Sequence, residues 1–170
     1  GRTHMAILWW NAGVRFGVFA VVALLLPAAK LLRREQELAR IDPLTGAANR
    51  RRLCEAVHHE LMRSRRYRRP MTVAFIDLDG FKRVNDELGH AAGDKVLCAV
   101  VDRIHHIVRQ TDLLARVGGD EFVLLLPEID QEAAKVIVPK LQLALTEDML
   151  RESWPVTFSI GVMTWRDGVV

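Results

Sequence analysis

The chain has 170 residues, of which 50% are apolar, 26% charged and 6% aromatic, and its formal net charge is +3. That length leaves room for one hydrophobic core, and a near-average charged fraction without low-complexity tracts excludes wholesale disorder, collagen and repeat arrays. Two cysteines, Cys54 and Cys98, make neither a multi-bridge framework nor a C-x-x-C metal pattern, which excludes a disulfide-built secreted mini-protein.

Residues 5–32 are almost continuously apolar, broken only by Asn11, Arg15 and Lys30. A hydrocarbon core needs about 20 such residues, so the first expected element is a transmembrane helix within 1–32. Arg15 lies toward its outer end, where the side chain can snorkel, and Pro27 toward the other end, where a helix tolerates it. Lys30, Arg33, Arg34 and Arg40 follow the span and only Arg2 precedes it. The positive-inside rule therefore places everything after it in the cytoplasm. A signal peptide is the competing reading, with Arg15 before an apolar stretch over 16–26 and a poor cleavage site at Pro27-Ala28-Ala29. Residues 33–41 read as a charged helical linker leaving the membrane, either a short two-stranded coil or a single solvated helix.

Asp42-Pro43 ends the linker and Thr45-Gly46 continues the turn. A helix is expected from about Asn49, with Leu53, Val57 and Leu61 on one face and a basic run over 63–69 at its end. Residues 71–78, MTVAFIDL, read as a buried strand that finishes on carboxylates. A short helix over 81–88, a glycine-flanked connection over 89–93 and a longer helix over 94–108 follow. Two apolar runs, 112–117 and 122–126, are separated by Gly118-Gly119-Asp120-Glu121, which is a hairpin signal. A helix over 131–145 and a strand over 156–163 complete the order β-α-β-β-α-β, the ferredoxin-like split βαβ with an antiparallel sheet. Right-handed crossovers put the first strand of this unit beside the third, with the second outside it. Asp77 and Asp79 then lie next to a hairpin tip carrying Asp120 and Glu121, about 4.8 Å away across the ladder.

Each of these acids alone reads as a turn residue. Together at one sheet end they repel one another unless a cation sits among them, and an all-oxygen donor set suits Mg²⁺ or Mn²⁺ holding nucleotide phosphates.

Gly118-Gly119-Asp120-Glu121-Phe122 resembles the signature of the GGDEF family, the diguanylate cyclases, and the likeness covers residues 42–165 in several separate segments. Asp42-Pro43-Leu44-Thr45 resembles the family's opening D-x-L-T, and Asn49-Arg50-Arg51 follows it. Asp77-Leu78-Asp79-Gly80-Phe81-Lys82, Asn85-Asp86, Gly89-His90 and Gly93-Asp94 match its central block. The resemblance implies a nucleotidyl cyclase, polymerase-palm-like fold over 42–170, which condenses two GTP into cyclic di-GMP and two pyrophosphates. It implies that Asp77, the Leu78 carbonyl, Asp120 and Glu121 bind Mg²⁺ or Mn²⁺, with Asp120 also accepting the proton of the 3′-hydroxyl. By the same resemblance Asn85 and Asp94 read guanine. Phe81, Lys82 and His90 contact substrate, and Gly118 and Gly119 let backbone approach the phosphates. Arg109-Gln110-Thr111-Asp112 resembles the R-x-x-D site at which product inhibits; read on its own residues it is equally a solvated helix-end pair.

The remaining features are bland. His58-His59 and His105-His106 point to different helix faces, and the basic run over 63–69 is a solvated helix end, or a contact for anionic headgroups. Trp9, Trp10, Trp154 and Trp165 are interface or core residues. No recognition helix or base-reading motif accompanies the positive charge, so nucleic acid is not an expected partner. The chain stops soon after the fourth strand, whereas the family usually continues through a helix with a phosphate-binding lysine and a closing strand, so a truncated domain is expected. Two GTP reacting head to tail require facing half-sites, hence a homodimer, held by lipid at a bacterial inner membrane through the N-terminal helix. The alternative from another functional class is a non-catalytic receptor for GTP or cyclic di-GMP.

Overall fold

The computed structural model describes residues 40–166, within the second of two units divided between Ala39 and Arg40. The expected transmembrane helix over 1–32, and the linker up to residue 39, lie outside the described residues. Among the described residues no helix is long and apolar enough to cross a membrane.

The elements are β1 (Ala48–Asn49), α1 (Arg50–Tyr67), β2 (Met71–Asp79), α2 (Phe81–Leu88), α3 (His90–Ile107), β3 (Leu113–Arg116), β4 (Glu121–Pro127), α4 (Gln131–Arg151) and β5 (Thr157–Trp165). They form a mixed α/β fold around a five-stranded sheet in the order β1-β3-β4-β2-β5. From β2 onward neighbours are antiparallel in the order the split βαβ requires, with β4 between β2 and β3. The short β1 was not legible in the sequence and adds a parallel edge, pairing Ala48 with Ala115 and Asn49 with Arg116.

Alternation along β2 divides the core. Ala74, Ile76 and Leu78 face one side with Phe122, Leu124 and Leu126 of β4, beneath Val96, Val100 and Ile104 of α3 and Leu141, Leu145 and Met149 of α4. Met71, Val73, Val123 and Leu125 face the other side, beneath Leu53 of α1. The helices start where their caps dictate: Asn49 Oδ1 accepts from the Arg52 amide at 3.1 Å, and Asp130 Oδ1 from the Ala133 amide at 2.9 Å. The Thr72 hydroxyl, buried in β2, donates to the Ile129 carbonyl at 2.8 Å. Trp154 packs against the first core and Trp165 against the second, where Arg65 lies 6.0 Å over its ring.

Strand ends shift by one or two residues from the sequence reading, and three boundaries differ by more or change in kind. The expected connection over 89–93 shrinks to Gly89, because α3 already begins at His90. Gly89 supplies the turn with φ 84°, while Gly93 sits in the helix because a side chain there would meet Asn85 and Phe81. Ile41, expected to end the linker helix, bridges instead to Ala48. Helix α4 continues past residue 145 because Met149 still reaches the core.

Helix α1 does not cover its whole face of the sheet. It packs over the part nearest Met71 and Val73 and leaves Phe75, 55% exposed, and Asp77 open to solvent.

Candidate active site

The same alternation that buries Ile76 and Leu78 turns Asp77 outward. Asp77 is in register with Glu121, and the Leu78 amide donates to the Asp120 carbonyl at 3.3 Å. The strand end and the hairpin tip thus meet as expected. Although Asp77 reaches solvent, the atoms around the strand end strip part of its hydration, and this, followed by the charges of Asp120 and Asp79, pushes its carboxyl above the ordinary value. An open cleft of about 920 Å³ lies over this sheet end, lined by Arg50, Phe75, Asp77, Glu121, Ser159 and Gly161 among others.

Asp79 behaves differently from the other acids. Its carboxylate accepts from Ser159 Oγ at 2.9 and 3.0 Å and from Thr157 Oγ1 at 3.3 Å, so it ties the end of β2 to β5. Of the four acids expected at this sheet end, Asp79 is thus the one whose carboxylate is held by hydroxyls of the neighbouring strand.

The hairpin turns back through Val117 N to Glu121 O at 2.9 Å and Gly118 N to Glu121 O at 3.4 Å. A Cβ at Gly118 would run into the Glu121 side chain, whereas at Gly119 it would meet nothing within 4 Å. Gly118 therefore makes room for a carboxylate of its own hairpin, besides whatever approach to phosphate it allows. Among the described residues no three His, Cys, Asp or Glu side chains form a group able to hold a metal ion by themselves. The donor chemistry still fits: these are hard oxygens, like charges crowd Asp77, and Mg²⁺ commonly uses one or two carboxylates with substrate phosphates supplying the rest.

Beside this cleft, α2 begins at Gly80 in a left-handed conformation, φ 80°, with no side chain capping its first amides. Lys82 is exposed there. Phe81 is 9% exposed and its ring belongs to the core. Helices α2 and α3 pack through Gly93, which abuts Asn85 Oδ1 and the Phe81 ring. Asn85 is thereby set beside the first turn of α3, which carries exposed His90 and Asp94.

Arg109 and Asp112 form a tight turn away from the acids. The Arg109 amide donates to Asp112 Oδ2 at 2.8 Å and the Asp112 amide to the Arg109 carbonyl at 3.0 Å. They border a cleft of about 710 Å³ with Arg52, His59 and Arg63 of α1. His58 and His59 have their rings 6.3 Å apart edge to face, and Arg63 and Arg69 pair with Glu128.

Sequence reasoning did not find the roles of Arg116, Thr157 and Ser159. The hydroxyls at alternate positions of a strand facing the acids were the available signal for Thr157 and Ser159. Arg116, the residue ending the strand before the hairpin, had none beyond its position.

The family profile described as diguanylate cyclase, GGDEF domain, matches residues 39–169. A diguanylate cyclase of Pseudomonas aeruginosa, DgcP, is 41% identical over 114 residues, 67% of this chain and 17% of that protein. A cyclic di-GMP phosphodiesterase of the same species, NbdA, is 36% identical over 136 residues, 78% of this chain and 17% of that protein. The chain thus spans about a sixth of the length of these curated relatives. Among solved structures, the diguanylate cyclase SiaD of Pseudomonas aeruginosa, in complex with its activator SiaC, superposes with a TM-score of 0.67 at 30% identity. That match covers 99% of this chain and 68% of SiaD.

Proposed function

The chain belongs to the GGDEF family, and from that membership and the site geometry we propose that it is a diguanylate cyclase, joining two GTP into cyclic di-GMP with release of two pyrophosphates. The observation that carries this reading is the register of Asp77 with Glu121, locked by the bond from the Leu78 amide to the Asp120 carbonyl. It gathers carboxylates at an open cleft where like charge already penalises ionisation of Asp77.

Asp77, the Leu78 carbonyl, Asp120 and Glu121 would hold Mg²⁺ or Mn²⁺, which supplies neutralisation of the triphosphate charge. Asp120 accepts the proton of the 3′-hydroxyl as its oxygen bonds to the α-phosphorus of the other GTP; the bond from that phosphorus to the bridging oxygen breaks and pyrophosphate leaves. Lys82 and the uncapped amides of Phe81 and Lys82 receive phosphate at the start of α2. Asn85 and Asp94 read guanine, whose N1–H and N2–H donors suit a carboxylate and which adenine does not reproduce. His90 lies at the same edge.

Each domain offers one such set, so the cyclic product requires a homodimer, and specific activity falls on dilution. Arg109 and Asp112 form the site at which product inhibits; Arg109→Ala relieves that inhibition without lowering the initial rate. The apolar run over 5–32 and the basic residues after it support a bacterial inner-membrane anchor with the domain cytoplasmic.

The test is incubation of the chain with GTP and Mg²⁺ or Mn²⁺ and chromatography for cyclic di-GMP, with Asp120→Ala as control. Absence of product, together with tight binding of GTP or cyclic di-GMP, selects the receptor reading.

A further inference from the structure

The hairpin that presents Asp120 and Glu121 is gripped by a side chain as well as by its ladder. Arg116, at the end of β3, donates to the Gly119 carbonyl from Nη2 at 2.7 Å and from Nε at 3.2 Å. Its remaining arm, Nη1, donates to Asp42 Oδ1 at 3.2 Å. Asp42 Oδ1 also accepts from the Thr45 hydroxyl at 2.6 Å and the Thr45 amide at 2.9 Å. The turn behind it is closed by Asp42 N to Ala47 O at 2.8 Å and Gly46 N to Asp42 O at 2.9 Å.

Both charges are largely withdrawn from water, with side-chain exposures of 15% for Arg116 and 20% for Asp42. At that depth each depends on the other, since removing one leaves the second uncompensated. Burial pushes the Asp42 carboxyl up, but the bonds from Thr45 and then Arg116 outweigh it and hold the carboxyl below its ordinary value. Asp42 is therefore ionised at neutral pH. The grip also falls where the chain needs it: Gly118 and Gly119 have the widest backbone freedom of any residue type, and the next residue is Asp120. Two donors converging on the Gly119 carbonyl remove that freedom one peptide before the first hairpin carboxylate.

We propose that Arg116 is a positioning residue for the Asp120 and Glu121 carboxylates, and that Asp42 is the counter-charge that aims its guanidinium at Gly119. The opening turn of the domain and its catalytic hairpin are then one mechanical unit, although they lie 74 residues apart in sequence. The consequence for turnover rests on the cyclase reading; the fixing of the hairpin does not.

The test uses the full chain with Arg116→Gln, Arg116→Lys, Asp42→Asn and the double variant Asp42→Asn with Arg116→Gln. Two readouts are taken: kcat and KM for GTP, and amide hydrogen exchange over 117–121 compared with α4. Arg116→Gln is expected to speed exchange in the hairpin about tenfold, the size of one charge-assisted bond, while α4 keeps its rates. It should lower kcat at least about tenfold with KM within about twofold. Arg116→Lys keeps the charge but not the fork and should fall between the two. The double variant should lose no more than Arg116→Gln alone, because the two residues act as one unit. Hairpin exchange at the wild-type rate, or acceleration shared equally by α4, overturns the proposal. So does a change in KM with kcat preserved. If the wild-type chain forms no cyclic di-GMP, the cyclase reading fails and the exchange pattern alone decides whether Arg116 fixes the hairpin.

Discussion

Replacing Gly118 by alanine tests the site with the smallest possible perturbation. Its φ is not among the left-handed glycines, so an alanine backbone is unstrained there. The added methyl would stand 3.1 Å from Cδ and 3.2 Å from Cβ of Glu121, and nearer still to Oε2. Carbon pairs rest at about 3.5–4.0 Å, so the carboxyl carbon retreats by roughly half an ångström and its oxygen by more. Glu121 is exposed and can swing into solvent, so folding should change by less than about 1 kcal/mol. Displacement of a catalytic group on the ångström scale lowers turnover by up to about 10²-fold. The expected result is kcat for cyclic di-GMP reduced between about tenfold and a hundredfold, with the thermal midpoint within about 4 °C of wild type. Product formation by chromatography and calorimetric unfolding read the two quantities. Combining Gly118→Ala with Glu121→Ala should cost no more activity than Glu121→Ala alone. Wild-type kcat in Gly118→Ala, or strictly additive losses in the double variant, would refute the idea that Gly118 acts by placing the Glu121 carboxylate.

Gly93→Ala places a methyl 3.0 Å from Asn85 Cγ and 3.2 Å from the Phe81 ring, between two packed helices. Overpacking of this kind costs about 1–3 kcal/mol, and the displaced Asn85 should raise KM for GTP; an unchanged KM would remove Asn85 from guanine recognition. Asp77→Asn should abolish turnover yet raise the thermal midpoint at pH 7, because partial loss of hydration and the charges of Asp120 and Asp79 disfavour the ionised carboxylate in the folded state. The folded protein holds this proton more tightly than the unfolded chain. Stability therefore falls as pH rises through the raised value, and the advantage of Asp77→Asn should vanish below about pH 3.9, where both states are protonated. A constant difference across that range would contradict the assignment. Leu145→Ala, in a fully buried position of α4, should cost about 2–5 kcal/mol by urea unfolding, and a loss under about 1 kcal/mol would mean that the α4 face is not core.

Local chemistry made much of this legible in advance. The near-continuous apolar run MTVAFIDL, finishing on carboxylates, places β2, and two glycines between apolar runs place the hairpin. Crossover handedness then brings Asp77 beside Glu121. Where local signals competed with packing, packing won. Gly93 read as a loop residue by its backbone freedom, but close contact of α2 and α3 uses its missing side chain inside a helix.

By itself, the sequence determined the order of the elements from β2 onward, the membrane signal over 1–32 as an expectation, and the identities of the acids at the sheet end. Each of these rests on neighbours in the chain, or on a motif whose residues stand close together. Only the tertiary structure decided what each acid touches. Asp79 accepts from Thr157 and Ser159, 78 and 80 residues away, while Asp77 lines the cleft. Phe81 is drawn into the core, and α1 stops short of Phe75 so that the cleft stays open. Arg116 reaches across 74 residues to Asp42 while holding Gly119. No periodicity records a contact between residues so far apart, because such pairs are chosen by the docking of whole elements, whose geometry exists only once the sheet has formed.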